Sequence, residues 1–197
     1  MYTIKNDVQT EQIINKSRFI TYLYKVASEE EAREKLKEIR KKHYDATHNC
    51  YSYIIGRDAE ISKFSDDGEP SGTAGVVIYD VLLKNNLTNI LAIVTRYYGG
   101  IKLGAGGLVR AYSSSTAIAV DAAEIEEIID YIHLSLTVDY SILGLVEKYI
   151  SDYEVLSKDF GANITIIIKV PELESQDLQA ELIDISKNTI LINQIEN

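Results

Sequence analysis

The alternation of hydrophobic and polar residues predicts several β-strands in the first hundred residues. Residues 7–15 and 18–26 mix large apolar residues with the β-favouring Thr and Tyr, which predicts two strands joined by a tight turn at Lys16–Ser17. Residues 48–55 alternate in the same way. The short apolar run at 89–95 is typical of a strand that is buried on both faces.

Three segments of the same region favour helices. Ser28 and Glu31 form a capping box, which predicts a helix that ends near Lys42. Thr73 is a suitable N-cap for a helix over 73–83, although the β-branched residues there leave a strand as the alternative. The Ala- and Ser-rich segment 108–123 predicts a third helix.

The second part of the chain repeats strands and helices in the order βαββαβ, the split-βαβ pattern. Its predicted elements are strand 133–140, helix 141–150, strand 153–158, strand 164–170, helix 175–186 and strand 189–195. The acidic segment 121–130 is the expected boundary. The sequence therefore predicts an α+β protein with two domains, residues 1–128 and 129–197.

The charge is unevenly distributed between these two parts. The formal net charge of −10 by itself disfavours nucleic acid as a partner, but residues 1–120 carry 16 basic and 14 acidic side chains and residues 121–197 carry 4 and 16. Phosphate contacts depend on local charge, so the first part remains compatible with a polyanion. The acidic second part is a candidate docking surface for a protein partner.

The composition also indicates the compartment. No apolar run approaches the roughly 18 residues of a membrane span, and the N-terminus has no signal-peptide pattern. The single cysteine, Cys50, fits a reducing compartment, and its place in the strand 48–55 predicts burial. We expect a cytoplasmic protein that does not bind membranes.

Eight of the eleven glycines lie between Phe64 and Tyr112, which marks this stretch as a candidate site. In RYYGGIKLGAGGLVRAY, residues 96–112, a buried strand leads through a loop with five glycines into a helix. Free backbone N–H groups and a positive helix end make such a loop suitable for an anion. The predicted phosphate- or RNA-binding residues are Arg96, Tyr97, Tyr98, Gly99, Gly100, Lys102, Gly104, Gly106, Gly107 and Arg110.

No known phosphate motif fits this loop. A P-loop requires Lys and Ser or Thr after its last glycine, whereas Leu108 follows Gly107, and the dinucleotide fingerprint fails because Val109 replaces its third glycine. The alternative is that the glycines only allow the strand and the helix to pack closely.

A second loop, FSDDGEPSGTAG, follows a turn predicted at 56–60. Its candidate residues are Asp66, Asp67, Glu69, Ser71 and Thr73. The carboxylates could hold Mg²⁺ opposite the glycine loop, or they could form a tight turn and cap the following backbone amides. We predict no catalytic residue, no metal ligands and no cofactor, and we interpret the three histidines as ordinary surface or core residues.

Four segments resemble the YigZ/IMPACT family, and the length and two-part layout are similar to its bacterial YigZ branch. They are KSRFI at 16–20, HNCYSY at 48–53, FSDDGEPSGTAG at 64–75 and RYYGGIKLGAGGLVRAY at 96–112. One departure is Asn49, where many bacterial relatives carry a second histidine, which argues against a metal site built on a histidine pair.

The resemblance implies a fold for each domain. It implies an N-terminal α/β sandwich like the second domain of a small-subunit ribosomal protein, a fold that is shared with elongation factor G and some small-molecule kinases. It also implies a ferredoxin-like C-terminal domain similar to the last domain of elongation factor G. The eukaryotic relatives regulate translation through an additional N-terminal domain without a counterpart here, so their specific partner is not transferred.

Two functions follow as hypotheses. The first is a non-enzymatic, translation-associated regulatory protein that binds RNA, the ribosome or a translation factor through the glycine-rich basic loop. The alternative is an enzyme or sensor for a small phosphorylated metabolite, which requires residues 66–73 and 96–107 to converge in space.

Overall fold

The computed structural model describes residues 1–57 and 59–195, which are divided between two compact units, Met1–Ile128 and Ile129–Asn197. Each unit has its own hydrophobic core. The turn predicted at 56–60 includes Asp58, which lies outside the described residues. None of the helices in the described part of the chain has the length and apolarity needed to cross a bilayer.

The first unit is built on a five-stranded antiparallel sheet with the strand order β2-β3-β6-β4-β5. Its elements are β1 (Tyr2–Ile4), β2 (Val8–Ile14), β3 (Ser17–Lys25), α1 (Glu29–Lys42), β4 (His48–Ile55), β5 (Ile61–Ser65), α2 (Gly75–Lys84), β6 (Ile90–Tyr97), α3 (Gly104–Asp121) and β7 (Ile125–Glu127).

Helices cover both faces of this sheet, because the strands bury apolar side chains on both sides. Helix α1 packs on one face through Ala32, Leu36 and Ile39, and α2 and α3 pack on the other. The central strand β6 is buried from Ile90 to Arg96, as the apolar run predicted. Cys50 is buried in β4, which confirms a further prediction.

The local signals at the first hairpin and the first helix are confirmed. The turn between β2 and β3 lies at Asn15 and Lys16, one residue before the predicted position, with left-handed φ angles of 46° and 64°. The Ser28 side chain accepts a hydrogen bond from the Glu31 N–H, and the Glu31 carboxylate accepts one from the Ala27 N–H. Two backbone N–H groups at the start of α1 thus donate to side chains, as in a capping box.

Other predictions for this unit are wrong in their details. Phe64 belongs to β5 and not to a loop, and α3 begins at Gly104, four residues before the predicted start. The segment 121–130, in which the division between the two units falls, also contains the unpredicted strand β7, which pairs with β1. Neither β1, β5 nor β7 has a periodic pattern long enough to be recognised in isolation.

The second unit has the predicted order of elements. They are β8 (Tyr131–Val138), α4 (Leu143–Tyr149), β9 (Glu154–Phe160), β10 (Ile164–Pro171), α5 (Ser175–Ile185) and β11 (Leu191–Ile195), with short 3-10 helices at Tyr140–Ile142 and Glu172–Glu174. All strand pairs are antiparallel in the order β11-β8-β10-β9. Alternate residues of β8 and β10 form the core with both helices.

Candidate functional site

The first unit contains a cavity of about 390 Å³ where β4 begins, β6 ends and α3 begins. Its lining residues are Thr47, His48, Glu69, Pro70, Arg96, Tyr98, Lys102, Leu103, Gly104, Ala105 and Leu108. The acidic loop and the glycine loop therefore share one cavity, which is the condition that the metabolite hypothesis required.

Asp66 shapes the acidic loop from within. Its Oδ1 accepts hydrogen bonds from the N–H groups of Ala74 (2.9 Å) and Gly75 (2.8 Å), and its Oδ2 accepts one from Gly72 (2.9 Å). This is the turn-and-cap alternative predicted for the loop. Thr73 is not the helix cap that we expected, because its hydroxyl donates to the carbonyl of Pro70.

Asp67 ties the same loop to its neighbours. Its carboxylate accepts hydrogen bonds from Arg40 at 2.8 Å and from the Asn49 N–H at 2.7 Å, while its backbone carbonyl accepts one from His48 Nδ1 at 2.8 Å. Both aspartates are therefore engaged in structural hydrogen bonds. Among the described residues, no group of three or more His, Cys, Asp or Glu side chains is placed to hold a metal ion.

Glu69 is the carboxylate of the loop that reaches the cavity. Its side chain is 3% exposed, and its Oε1 accepts hydrogen bonds from Arg96 Nη1 at 2.6 Å and from the Tyr112 hydroxyl at 2.8 Å. Burial raises the pKa of Tyr112, so the hydroxyl stays protonated and donates. Burial also raises the pKa of Cys50, so this thiol is not a reactive thiolate.

Arg96 has a different environment from the one predicted. It lines the cavity but is buried, and its guanidinium lies between the rings of Phe19 and Tyr98, with centroid distances of 5.6 and 5.5 Å. Its charge is compensated by Glu69, so it is not the free phosphate-binding cation that the sequence indicated. Arg96 Nε is buried without a hydrogen-bond partner among the described residues.

The positive charge that faces solvent comes from the start of α3. No side chain caps its N-terminus, and its first turn has no acidic residue, so within the described residues no capping side chain accepts from the first N–H groups. Lys102 and Arg110 are exposed, and within residues 1–57 and 59–195 neither forms an ion pair. Of these two cations, Lys102 lines the cavity.

The two tyrosines of the RYYGG segment lie on opposite sides of the sheet. The Tyr97 hydroxyl contacts His43 Nδ1 (2.8 Å) and donates to Asp45 (3.1 Å) near the end of α1, whereas Tyr98 is 45% exposed and lines the cavity. Gly99 packs against the hairpin turn, where a Cβ would lie 2.0 Å from backbone atoms of Lys16.

The predicted residues thus fall into two groups. Those that line the cavity are Glu69, Arg96, Tyr98, Lys102 and Gly104. Those that do not are Tyr97, Gly99, Gly100, Gly106, Gly107, Arg110, Asp66, Asp67, Ser71 and Thr73. Three of the five predicted loop glycines, Gly104, Gly106 and Gly107, lie in α3.

Comparison with known proteins agrees with this two-unit organisation. The Impact N-terminal domain family matches residues 15–120, and a domain of unknown function, DUF1949, matches residues 136–189. The chain belongs to the IMPACT family.

Its IMPACT relatives include bacterial proteins similar over most of their length. The IMPACT family member YvyE of Bacillus subtilis is 43% identical over 88% of this chain and 81% of its own. An IMPACT family member of Haemophilus influenzae is 39% identical over 98% and 95%, and YigZ of Escherichia coli is 33% identical over 93% and 92%. The resemblance predicted from the four motifs is confirmed.

A solved structure has a similar fold. The crystal structure of a hypothetical protein is 32% identical, has a TM-score of 0.66, and covers 100% of this chain and 97% of its own.

Sequence reasoning missed His48 as a cavity residue of this IMPACT family member. His48 begins β4 directly opposite Arg96 of β6, and its Nε2 lies 3.7 Å from Glu69 Oε2. The HNCYSY motif was the only signal, since the register between β4 and β6, two strands distant in the chain, is not visible in the sequence. The cavity thus combines a helix N-terminus and Lys102 with the Glu69 carboxylate and the His48 ring.

Proposed function

We propose that this protein is a translation-associated regulatory protein that binds RNA, free or within the ribosome, at the N-terminus of α3. The proposal assigns phosphate contacts to the first-turn N–H groups and to Lys102 and Arg110. It assigns base or sugar stacking to Tyr98. It gives Arg96 a supporting role, because Arg96 is paired with Glu69.

The observation that carries the proposal is the uncapped start of α3 at an open cavity. Its N–H groups have no side-chain acceptor, and two exposed cations without ion-pair partners in the described ranges flank them. Helix N-termini with such surroundings bind phosphate groups through the N–H donors and the helix dipole. An exposed aromatic ring beside a phosphate site suits a single strand, because every base can stack on it.

Fold analogy supports the link to translation. We assign the first unit to the fold of the second domain of a small-subunit ribosomal protein, which is shared with elongation factor G. We assign the second unit to the ferredoxin-like fold of the last domain of elongation factor G. The strand order β11-β8-β10-β9 with two helices supports this second assignment, because it is the order of a split βαβ motif.

The test is a titration of the full chain with fluorescein-labelled RNA oligonucleotides and with purified ribosomes at several salt concentrations. We expect binding at low salt, and we expect the double variant Lys102→Ala/Arg110→Ala to bind more weakly. Removing two phosphate contacts should also reduce the slope of log K against log salt by about 1.4 for a single strand.

A matched control separates this site from general charge. Lys37→Ala/Lys41→Ala removes the same charge from exposed positions of α1, on the other face of the sheet. This control should bind like the wild type. Equal losses in both double variants, or no binding at low salt, would contradict the proposal.

The shared cavity also favours a second candidate, an enzyme or sensor for a small phosphorylated metabolite. The cavity volume lies within the usual range of small-molecule sites. Magnesium is not part of this candidate, because the oxygens of Asp66 and Asp67 already accept hydrogen bonds. Isothermal titration with hexose phosphates would distinguish it, since only this candidate expects tight binding of a phosphorylated ligand that carries no ribose. Docking of a protein partner on the acidic second unit stays a prediction.

A further inference from the structure

Two hydrogen-bond acceptors face each other in the cavity without a donor between them. They are Glu69 Oε2 and His48 Nε2, which are 3.7 Å apart. Glu69 uses its other oxygen, Oε1, to accept from Arg96 and Tyr112. Within the described part of the chain, no donor reaches Oε2 or Nε2 at hydrogen-bond distance.

The orientation of the His48 ring makes Nε2 an acceptor. A backbone carbonyl only accepts, so the contact of 2.8 Å between His48 Nδ1 and the Asp67 carbonyl places a proton on Nδ1. In the neutral ring the lone pair is then on Nε2, on the side of Glu69. The loop that holds Asp67 in place is itself fixed by hydrogen bonds, so this arrangement is built into the fold.

Neither atom is among the buried side-chain atoms that lack a hydrogen-bond partner, so both face the space of the cavity, where a ligand can supply the donor. The Glu69 side chain is 97% buried, and Oε2 is its oxygen on the side of His48 in the cavity. A hydroxyl group suits these atoms because two acceptors 3.7 Å apart can share its one proton. A phosphate does not, since it carries only acceptors for Glu69 to repel.

We propose that the cavity binds the ribose of an RNA nucleotide, with its 2′-hydroxyl sharing its one proton between Glu69 Oε2 and His48 Nε2 and its phosphate at the N-terminus of α3. The inference rests on the proposed function and adds to it, because only RNA carries this hydroxyl. The protein therefore selects RNA over DNA. Carboxylates are well suited to accept from ribose hydroxyls, as they do in dinucleotide sites.

The experiment compares three decamers by fluorescence anisotropy at low salt: oligouridylate, oligodeoxyuridylate and 2′-O-methyl oligouridylate. The bases and phosphates are the same, and the 2′-O-methyl oligomer keeps the RNA sugar but lacks the donor. We expect RNA to bind about tenfold more tightly than either of the others, because only RNA can donate a hydrogen bond to the charged acceptor.

Variants locate the selectivity. His48→Asn retains a donor for the Asp67 carbonyl and removes the second acceptor, and Glu69→Gln removes the charge; each should bring RNA binding down toward that of DNA. Lys102→Ala should instead weaken RNA and DNA by the same factor. Circular dichroism melting checks that each variant is folded. If Glu69→Gln does not fold, His48→Asn alone tests the inference.

The outcomes separate this inference from the proposed function. Equal binding of the three decamers, or selectivity that survives in His48→Asn, overturns the ribose site and leaves RNA binding at α3 in place. If no decamer binds at low salt, both proposals fail.

Discussion

The buried pair of Glu69 and Arg96 makes Glu69→Ala the most informative perturbation of the first unit. The side chains are 3% and 6% exposed, and the two groups are joined by a hydrogen bond of 2.6 Å. Removing the carboxylate leaves the Arg96 charge without its partner in a site that water barely reaches. It also removes the acceptor of the Tyr112 hydroxyl, which is buried.

The expected cost is large compared with protein stability. Breaking a buried ion pair by removing one partner typically costs about 3–5 kcal/mol, whereas a domain is stable by about 5–15 kcal/mol. With a urea m-value of about 2 kcal/mol per molar, the midpoint of the unfolding transition should fall by about 2 M.

The assay is urea unfolding of the full chain followed by circular dichroism. Glu11→Ala is the matched control, because Glu11 forms a bidentate pair with Arg18 at the surface. Exposed pairs contribute little to stability, so this control should unfold near the wild-type midpoint.

A second comparison tests the reasoning about buried charge. The double variant Glu69→Leu/Arg96→Met replaces both charges by apolar groups and should be more stable than Glu69→Leu alone. If Glu69→Ala unfolds at the same urea concentration as Glu11→Ala, or if the double variant is the least stable, the account of this pair is refuted.

Three further predictions concern the framework of the site. Asp66→Ala removes three amide hydrogen bonds at the start of α2 and should cost about 1–2 kcal/mol, measured by thermal unfolding. Gly99→Ala should sharply lower the melting temperature, because its Cβ would lie 2.0 Å from Lys16, whereas Gly106→Ala, with its nearest atom at 3.7 Å, should stabilise α3 by about 0.5–1 kcal/mol. Burial lowers the pKa of His43 below its ordinary value of 6.5, so this histidine binds a proton more readily in the unfolded chain than in the folded one. The stability of the protein should therefore fall as the pH falls through 6.5. In His43→Gln, the melting temperature should fall less between about pH 7.5 and pH 5.5 than in the wild type.

The sequence by itself determined most of the elements, because their signals are local. The capping box at Ser28, the buried run of β6 and the βαββαβ order of the second unit each depend on residues a few positions apart. The four motifs also determined the family. Short strands without a periodic pattern, such as β5 and β7, lacked such a signal, and their pairing partners stabilise them.

Only the tertiary structure decided what the charged residues of the glycine-rich stretch do. The sequence presented Arg96 as one of three similar cations, yet the pairing of β6 with β4 and the fold of the acidic loop place Arg96 against Glu69. The same pairing brings His48 to the cavity. Burial and contacts between distant segments determine whether a charge is free or compensated, and a local pattern carries no record of either.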